Sequence, residues 1–240
     1  MGLAQILSAK FFARKVQRIQ RTILKWGKEN YADFPWRSTT NPFHALIAEI
    51  MLQRTRAEQV LPVYEKFTSK YQFPHEVAAE NPDKIRNMLS SLGLGWRIEK
   101  VIQLTQMLTA IDNKIPDTKD KLMELPGIGE YAASAFLSLH AGVRMPIVDS
   151  NVVRLWSRLF CFKKDKEIRR KKGFLDFVDK ITPEENFREF NYSVLDFTRA
   201  VCRPKPLHNI CPLVAVCSYY RDIHKLQYSH SRKNHSFVLL

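Results

Sequence analysis

The sequence predicts an all-α fold. Three observations carry this reading: apolar residues recur at helical spacing in segment after segment, turn-forming residues separate those segments, and no convincing alternating strand occurs. In chain order, Val16, Ile19, Ile23 and Trp26 fall at i, i+3, i+7 and i+10, a stripe that predicts a core-packing helix over about residues 15–28. The first 14 residues are undecided, because an acid-free, Arg-bearing start also suits an organelle presequence. After Asn41-Pro42 comes FHALIAEIMLQRT, then AEQVLPVYEKFTSKY and PDKIRNMLSSLG, which Gly93 and Gly95 close. IEKVIQLTQMLTAI and TKDKLMEL lead to Pro126-Gly127, and EYAASAFLSLHAG follows. Beyond Pro146 come SNVVRLWSRLF and FLDFVDKI, and beyond Pro183 comes FREFNYSVLDFTRAV. The end, HKLQYSHSRKNHSFVLL, has little periodicity and reads as a frayed basic tail.

Composition narrows the function. The chain has 240 residues, with 38 Lys and Arg against 24 Asp and Glu, a formal charge of +14. At roughly 100–200 residues per domain this allows one large domain or two small ones. Hydrophobic residues at 45% and charged residues at 26% exclude a mainly disordered or fibrous chain. No apolar run approaches the ~18–20 residues of a membrane helix, so no membrane partner is expected. The basic excess points to a polyanion such as nucleic acid, with a solvated basic surface as the alternative. It is uneven: residues 1–28 hold seven cations (Lys10, Arg14, Lys15, Arg18, Arg21, Lys25, Lys28) and no acid, and KKDKEIRRKK at 163–172 holds seven more.

Three constellations carry chemistry. Leu125-Pro126-Gly127-Ile128-Gly129 lies between two helices. Its glycines allow a tight turn whose backbone N–H groups can meet a phosphate where the next helix begins, although a plain helix-to-helix turn has the same pattern. The second is a pair of carboxylates. Glu49 lies beside the stripe Phe43, Leu46, Ile47, Ile50, and Glu49, Gln53 and Arg56 at i, i+4 and i+7 line an adjacent face, which a solvated polar surface would also explain. Asp149 precedes the helix SNVVRLW, where capping is its simplest role. Brought together, two such acids suit cleavage at a glycosidic carbon, one protonating the leaving group and the other stabilising an oxocarbenium-like cation. The third is Cys202, His208, Cys211 and Cys217, spaced C-x5-H-x2-C-x5-C, which suits tetrahedral zinc or an iron–sulfur cluster, with unligated thiols as the alternative. Cys161 stands apart at an apolar helix end and reads as a buried thiol.

In this order the constellations resemble the helix-hairpin-helix DNA glycosylases related to endonuclease III, in the branch of MutY-type adenine glycosylases and archaeal thymine-mismatch enzymes. The residues that carry the resemblance are Phe34-Pro35-Trp36-Arg37, Asn41-Pro42-Phe43, AEIMLQRT from Ala48, LPGIGEYAASA from Leu125, PIVDSNVVR from Pro146, and the helix leading to Cys202, over about residues 15–220. The resemblance implies two helical subdomains flanking a DNA-binding cleft. One comprises residues 1–32 with 145–222, the other is a six-helix unit over 33–144 holding the hairpin, and 223–240 form the tail.

It also implies roles. Asp149 matches the aspartate that stabilises the sugar cation, and Glu49 matches the acid that protonates the base in the adenine branch. Tyr131 stands where bifunctional members place a Schiff-base lysine; a phenol cannot form an imine, so a monofunctional enzyme without β-elimination is expected. Gln53 matches the side chain inserted into the gap left by the flipped nucleotide, with Arg54 beside it, and Gly127, Gly129 and Arg154 are implied DNA contacts. The family pattern C-x6-C-x2-C-x5-C implies a 4Fe–4S cluster. Here His208 replaces the second cysteine and the first loop is one residue shorter, so a His-ligated cluster, zinc and no metal stay open. About 20 residues follow Cys217, leaving no room for the domain by which MutY-type enzymes read oxidised guanine. The expectation is a monomeric glycosylase in the cytoplasm, at the nucleoid, that removes thymine or uracil opposite guanine. Adenine or another altered base, or a non-catalytic DNA-binding module, are the alternatives.

Overall fold

The computed structural model describes residues 3–93, 95–162, 165 and 167–223, with side chains from Lys10 onward. Among these residues every regular element is helical, as the sequence predicts. The described residues form two compact units, one from those within 1–31 and 148–223 and the other from those within 32–147.

The first unit opens with α1 (Leu3–Asn30), which extends through most of the 14 residues left undecided from sequence. Val16, Ile19 and Ile23 are buried along it, and Trp26 meets Phe197 edge-on at 5.2 Å.

The second unit contains α2 (Pro42–Met51), α3 (Ala57–Lys70), α4 (Pro74–Ala78), α5 (Pro82–Leu89), α6 (Gly95–Ala110), α7 (Lys119–Met123) and α8 (Glu130–Leu139). Asn41 starts α2 by accepting hydrogen bonds from the backbone N–H groups of Phe43 and His44, with Pro42 in the first turn where its missing N–H costs nothing. The short α4 has too few residues for a periodic signal. Its start is secured by Glu76, whose carboxylate accepts from the backbone N–H groups of Gln72 and Phe73. Trp36 anchors one end of the core, stacked on Phe34 at 4.7 Å and edge-on to Tyr64 at 5.4 Å.

The first unit resumes with α9 (Ser150–Phe160), α10 (Lys172–Ile181) and α11 (Phe187–Ala200). Helix α11 packs along α1, and the approach is close. A Cβ on Gly27 would lie 1.9 Å from Ser193 Oγ and 2.6 Å from Ser193 Cβ, so only glycine fits that crossing. Trp156, Leu155 and Leu159 of α9, Phe174 and Val178 of α10, and Phe190 and Phe197 of α11 complete the core.

Several expectations need correction. The helix expected over 43–55 stops at Met51, so Glu49, Gln53 and Arg56 do not share a helix face: Gln53 sits in a turn and Arg56 is the residue before α3. Cys161 is exposed rather than buried. Helix α9 ends at Phe160, Cys161 takes the left-handed conformation (φ 58°), and its thiol donates to Asp222 Oδ2 at 3.4 Å instead of packing on the core. Lys15 does not belong to the solvated cations of α1, because its ammonium donates to the Leu159 carbonyl at 2.6 Å and lies 4.3 Å from the Phe160 ring. The remaining cations of residues 1–28 are exposed. Lys163, Lys164 and Lys166 of the second basic run, and the tail from residue 224, lie outside the described residues.

Candidate active site

In the second unit, Glu49 occupies the last turns of α2, between the buried Ala48 and Ile50. The side chain is 5% exposed, so the solvated-face reading does not hold. A buried carboxyl group is costly without a partner. The partner is His140, the residue that ends α8, whose Nε2 lies 3.4 Å from Glu49 Oε1.

Helix α2 stops because another side chain takes its carbonyls. Arg97 is 2% exposed, and its guanidinium donates to the carbonyls of Met51 (2.8 Å), Gln53 (2.5 Å) and Leu92 (2.7 Å) and to Thr55 Oγ1 (3.0 Å). Longer bonds reach the carbonyls of Ile50 and Gly93. These acceptors include the carbonyls that a helix end leaves unsatisfied. One buried cation thus fixes two turns, 52–56 and 92–93. Burial pushes the Arg97 pKa down from its usual value; an arginine stays charged even so.

The first of those turns carries Gln53 and Arg54. Gln53 Nε2 donates to the Gly127 carbonyl at 2.9 Å, tying the turn to the hairpin between α7 and α8. Arg54 is exposed in the left-handed region (φ 58°), which L-residues seldom adopt. In the hairpin, Leu125 and Ile128 are buried and hold the turn down, the Ile128 N–H bonding to the Leu125 carbonyl. The two glycines differ. Gly127 has φ 83°, and a Cβ there would lie 3.0 Å from Lys100 Cβ; Gly129 is extended, with nothing within 4 Å of an added Cβ. Gly129 is the N-cap of α8, which no side chain caps, and Tyr131 follows in the first turn, half-buried. A helix N-terminus opening onto such space suits an anion.

In the first unit, Asp149 is the N-cap of α9. Its Oδ1 accepts from the backbone N–H groups of Asn151 (2.9 Å) and Val152 (2.7 Å), and its Oδ2 accepts from Asn151 Nδ2 (2.8 Å). Three donors therefore orient a half-buried carboxylate at the positive end of a helix. Asn151 is held in turn by Arg154, which donates to Asn151 Oδ1 (2.9 Å) and to the carbonyls of Cys202 (3.0 Å) and Thr198 (3.2 Å). Its guanidinium thus braces protein groups, although the sequence reading expected it on DNA.

The cysteine loop is braced the same way. Arg158 donates to the carbonyls of Arg203 (2.6 Å) and Pro204 (2.8 Å) and reaches Cys202 Sγ at 3.4 Å. The expected ligands Cys202, His208, Cys211 and Cys217 lie on or beside this loop. Among the described residues no three His, Cys, Asp or Glu side chains are disposed to hold a metal ion. The His208 ring packs edge-on to Tyr220 at 4.9 Å. The Cys217 thiol donates to the Arg158 carbonyl at 3.8 Å, and burial, with the neighbouring thiols, pushes the Cys211 and Cys217 thiols up.

Three residues that matter here escape the sequence reading: Arg97, His140 and Asn151. Two of them leave a signal. Arg97 continues the apolar stripe Val101, Leu104, Leu108 of α6, and His140 continues Ala133, Phe136, Leu137 of α8. A polar side chain on a buried stripe must find an internal partner. Asn151 leaves no such mark.

The sequence profile of the HhH-GPD superfamily base excision DNA repair proteins matches residues 47–177. The thymine-DNA glycosylase of Aeropyrum pernix is 33% identical over 215 residues, 87% of this chain and 96% of that protein. An adenine DNA glycosylase of Buchnera aphidicola (subsp. Schizaphis graminum) is 30% identical over 88% of this chain and 62% of its own length. A solved thermostable thymine-DNA glycosylase superposes with a TM-score of 0.82 at 29% identity, covering 88% of this chain and 99% of that one.

Proposed function

Because the chain belongs to the HhH-GPD superfamily of base excision DNA repair proteins, and is a DNA glycosylase, we propose that it removes thymine or uracil mispaired with guanine. The reaction is hydrolysis of the N-glycosidic bond, without strand cleavage. The observation that carries the monofunctional reading is Tyr131 in the first turn of α8, where a lysine would be required to form a Schiff base with the sugar. The thymine-DNA glycosylase of near-equal length supports the choice of base.

The mechanism assigns each residue a task. A mispaired base costs less to unstack than a paired one, which supplies part of the selectivity. Gln53 and Arg54, on the turn that Arg97 holds, fill the space the flipped nucleotide vacates. The backbone N–H groups at Gly129 and the exposed cations Lys10, Arg14, Arg18, Arg21, Lys25 and Lys28 of α1 hold phosphates. Each neutralised phosphate contributes a slope of about −0.9 to log K against log salt. As the C1′–N bond breaks, its electron pair leaves with the base. The Asp149 carboxylate stabilises the positive charge on the sugar and accepts the proton of the water that adds at C1′. The enzyme acts as a monomer on double-stranded DNA. Visible absorbance with iron and zinc content of anaerobically purified protein reads the state of the cysteine loop.

A second reading, excision of adenine, is favoured by the buried Glu49–His140 pair, since a purine leaves more readily when protonated. Duplexes bearing G·T, G·U and adenine opposite oxidised guanine separate the two readings, with the products resolved before and after alkali. G·T and G·U cleavage that appears only after alkali supports the first; excision of adenine alone overturns it. Asp149→Asn is expected to retain duplex binding and lose excision, and full activity in that variant would refute the assignment.

A further inference from the structure

Glu49 and His140 are 91 positions apart in sequence and meet inside one unit, with side chains 5% and 3% exposed. Among the described residues His140 is the hydrogen-bond partner of the Glu49 carboxyl group. The other ring nitrogen, Nδ1, is buried without a partner among the described residues. A cationic imidazolium would bury a second N–H donor with nothing to accept it, whereas the neutral ring with hydrogen on Nε2 places its one donor on Glu49. The ring is further confined by Phe136, whose centroid is 6.1 Å away, and by its position at the end of α8, where its backbone N–H bonds to the Phe136 carbonyl.

A carboxylic acid has one oxygen that carries hydrogen and one that accepts. With His140 Nε2–H donating to Oε1, the acid's hydrogen is confined to Oε2. We propose that His140 is a positioning residue for Glu49: it decides which oxygen presents the proton, and it stabilises the carboxylate left once that proton has gone. This rests on the reading of Glu49 as the acid facing the base. The proton on Oε2 passes to a ring nitrogen or carbonyl oxygen of the departing base as the C1′–N bond breaks. Glu49 becomes a carboxylate that accepts from His140, and solvent returns the proton after release. The base then leaves neutral, whether it is a pyrimidine that takes the proton on a carbonyl oxygen or a purine that takes it on a ring nitrogen.

Single-turnover excision and equilibrium binding are to be measured on the duplex that the wild type cleaves best among G·T, G·U and adenine opposite oxidised guanine. His140→Phe keeps a ring and loses the donor; His140→Gln keeps a donor. The expected result is at least a tenfold slower excision in His140→Phe with duplex affinity within twofold of wild type, and recovery to within threefold in His140→Gln. In a Glu49→Gln background, His140→Phe is expected to add less than twofold, because its effect runs through Glu49. A purely structural role would lower binding as well and would not distinguish Gln from Phe. Wild-type excision by His140→Phe overturns the proposal while leaving the Glu49 reading intact, and so does an undiminished effect in the Glu49→Gln background. Wild-type excision by Glu49→Gln alone overturns both. If His140→Phe does not fold by circular dichroism, His140→Leu against His140→Gln gives the same comparison.

Discussion

Replacing Arg97 by methionine is the sharpest test of how the turn over 52–56 is held. Methionine fills a similar length with apolar atoms and removes every donor. Four close hydrogen bonds would be lost, to the carbonyls of Met51, Gln53 and Leu92 and to Thr55 Oγ1. At ~1.5–3 kcal/mol for a hydrogen bond to a charged group, the gross loss is about 6–12 kcal/mol. Removing the guanidinium also relieves the several kcal/mol that its burial costs, which leaves a net destabilisation of about 3–5 kcal/mol. Urea unfolding followed by far-UV circular dichroism measures it, with hydrogen exchange on residues 52–56 showing where the fold opens. Arg97→Lys is expected to lie between the two, since a single ammonium cannot span acceptors on both turns. A loss below about 1 kcal/mol in Arg97→Met would mean that the carbonyls find other donors and that the turn is set by its own sequence.

The hairpin glycines make opposite predictions. Gly127→Ala is expected to cost about 1–2 kcal/mol for the left-handed backbone alone, with the Lys100 contact in addition. Gly129→Ala costs at most about 1 kcal/mol yet weakens duplex binding at least threefold; equal effects of both on stability, with binding unchanged, would contradict the phosphate role. Gly27→Ala is expected to lose about 1–3 kcal/mol by overpacking, and Ser193→Gly should restore more of it than Ser193→Ala, which removes the Oγ contact but leaves the one to Cβ. His44 is buried with Nε2 2.7 Å from the Tyr71 carbonyl, and burial lowers its pKa from the ordinary 6.5. The unfolded chain then binds more protons, so this contribution is complete above about pH 6.5 and is lost as pH falls below it. The stability of His44→Gln relative to wild type should therefore rise on acidification, and a pH-independent difference would rule that out.

How much of this was legible in the sequence depends on how far apart the interacting residues lie. Asp149 is a case where both the fold role and the candidate chemistry were visible, because an acid directly before an amphipathic run can reach the next backbone N–H groups whatever surrounds it. The buried stripe of α1 and the hairpin turn were legible for the same local reason. The end of α2 was not. LQRT continues a helical pattern in composition, and only an arginine 46 positions beyond Met51 takes the carbonyls and stops it. Cys161 was misread because its neighbours are apolar, while its exposure follows from one left-handed residue at the helix end.

By itself, then, the sequence determined the helical class, the positive surface of α1 and the capping acid Asp149. Each follows from residue type and from spacing along a few turns of chain. The tertiary structure alone decided that Glu49 is buried, that His140 is its partner, and that Arg97 fixes the turn bearing Gln53. Burial and pairing belong to side chains brought together from 44 to 91 positions apart, by the packing of a core that no local pattern encodes.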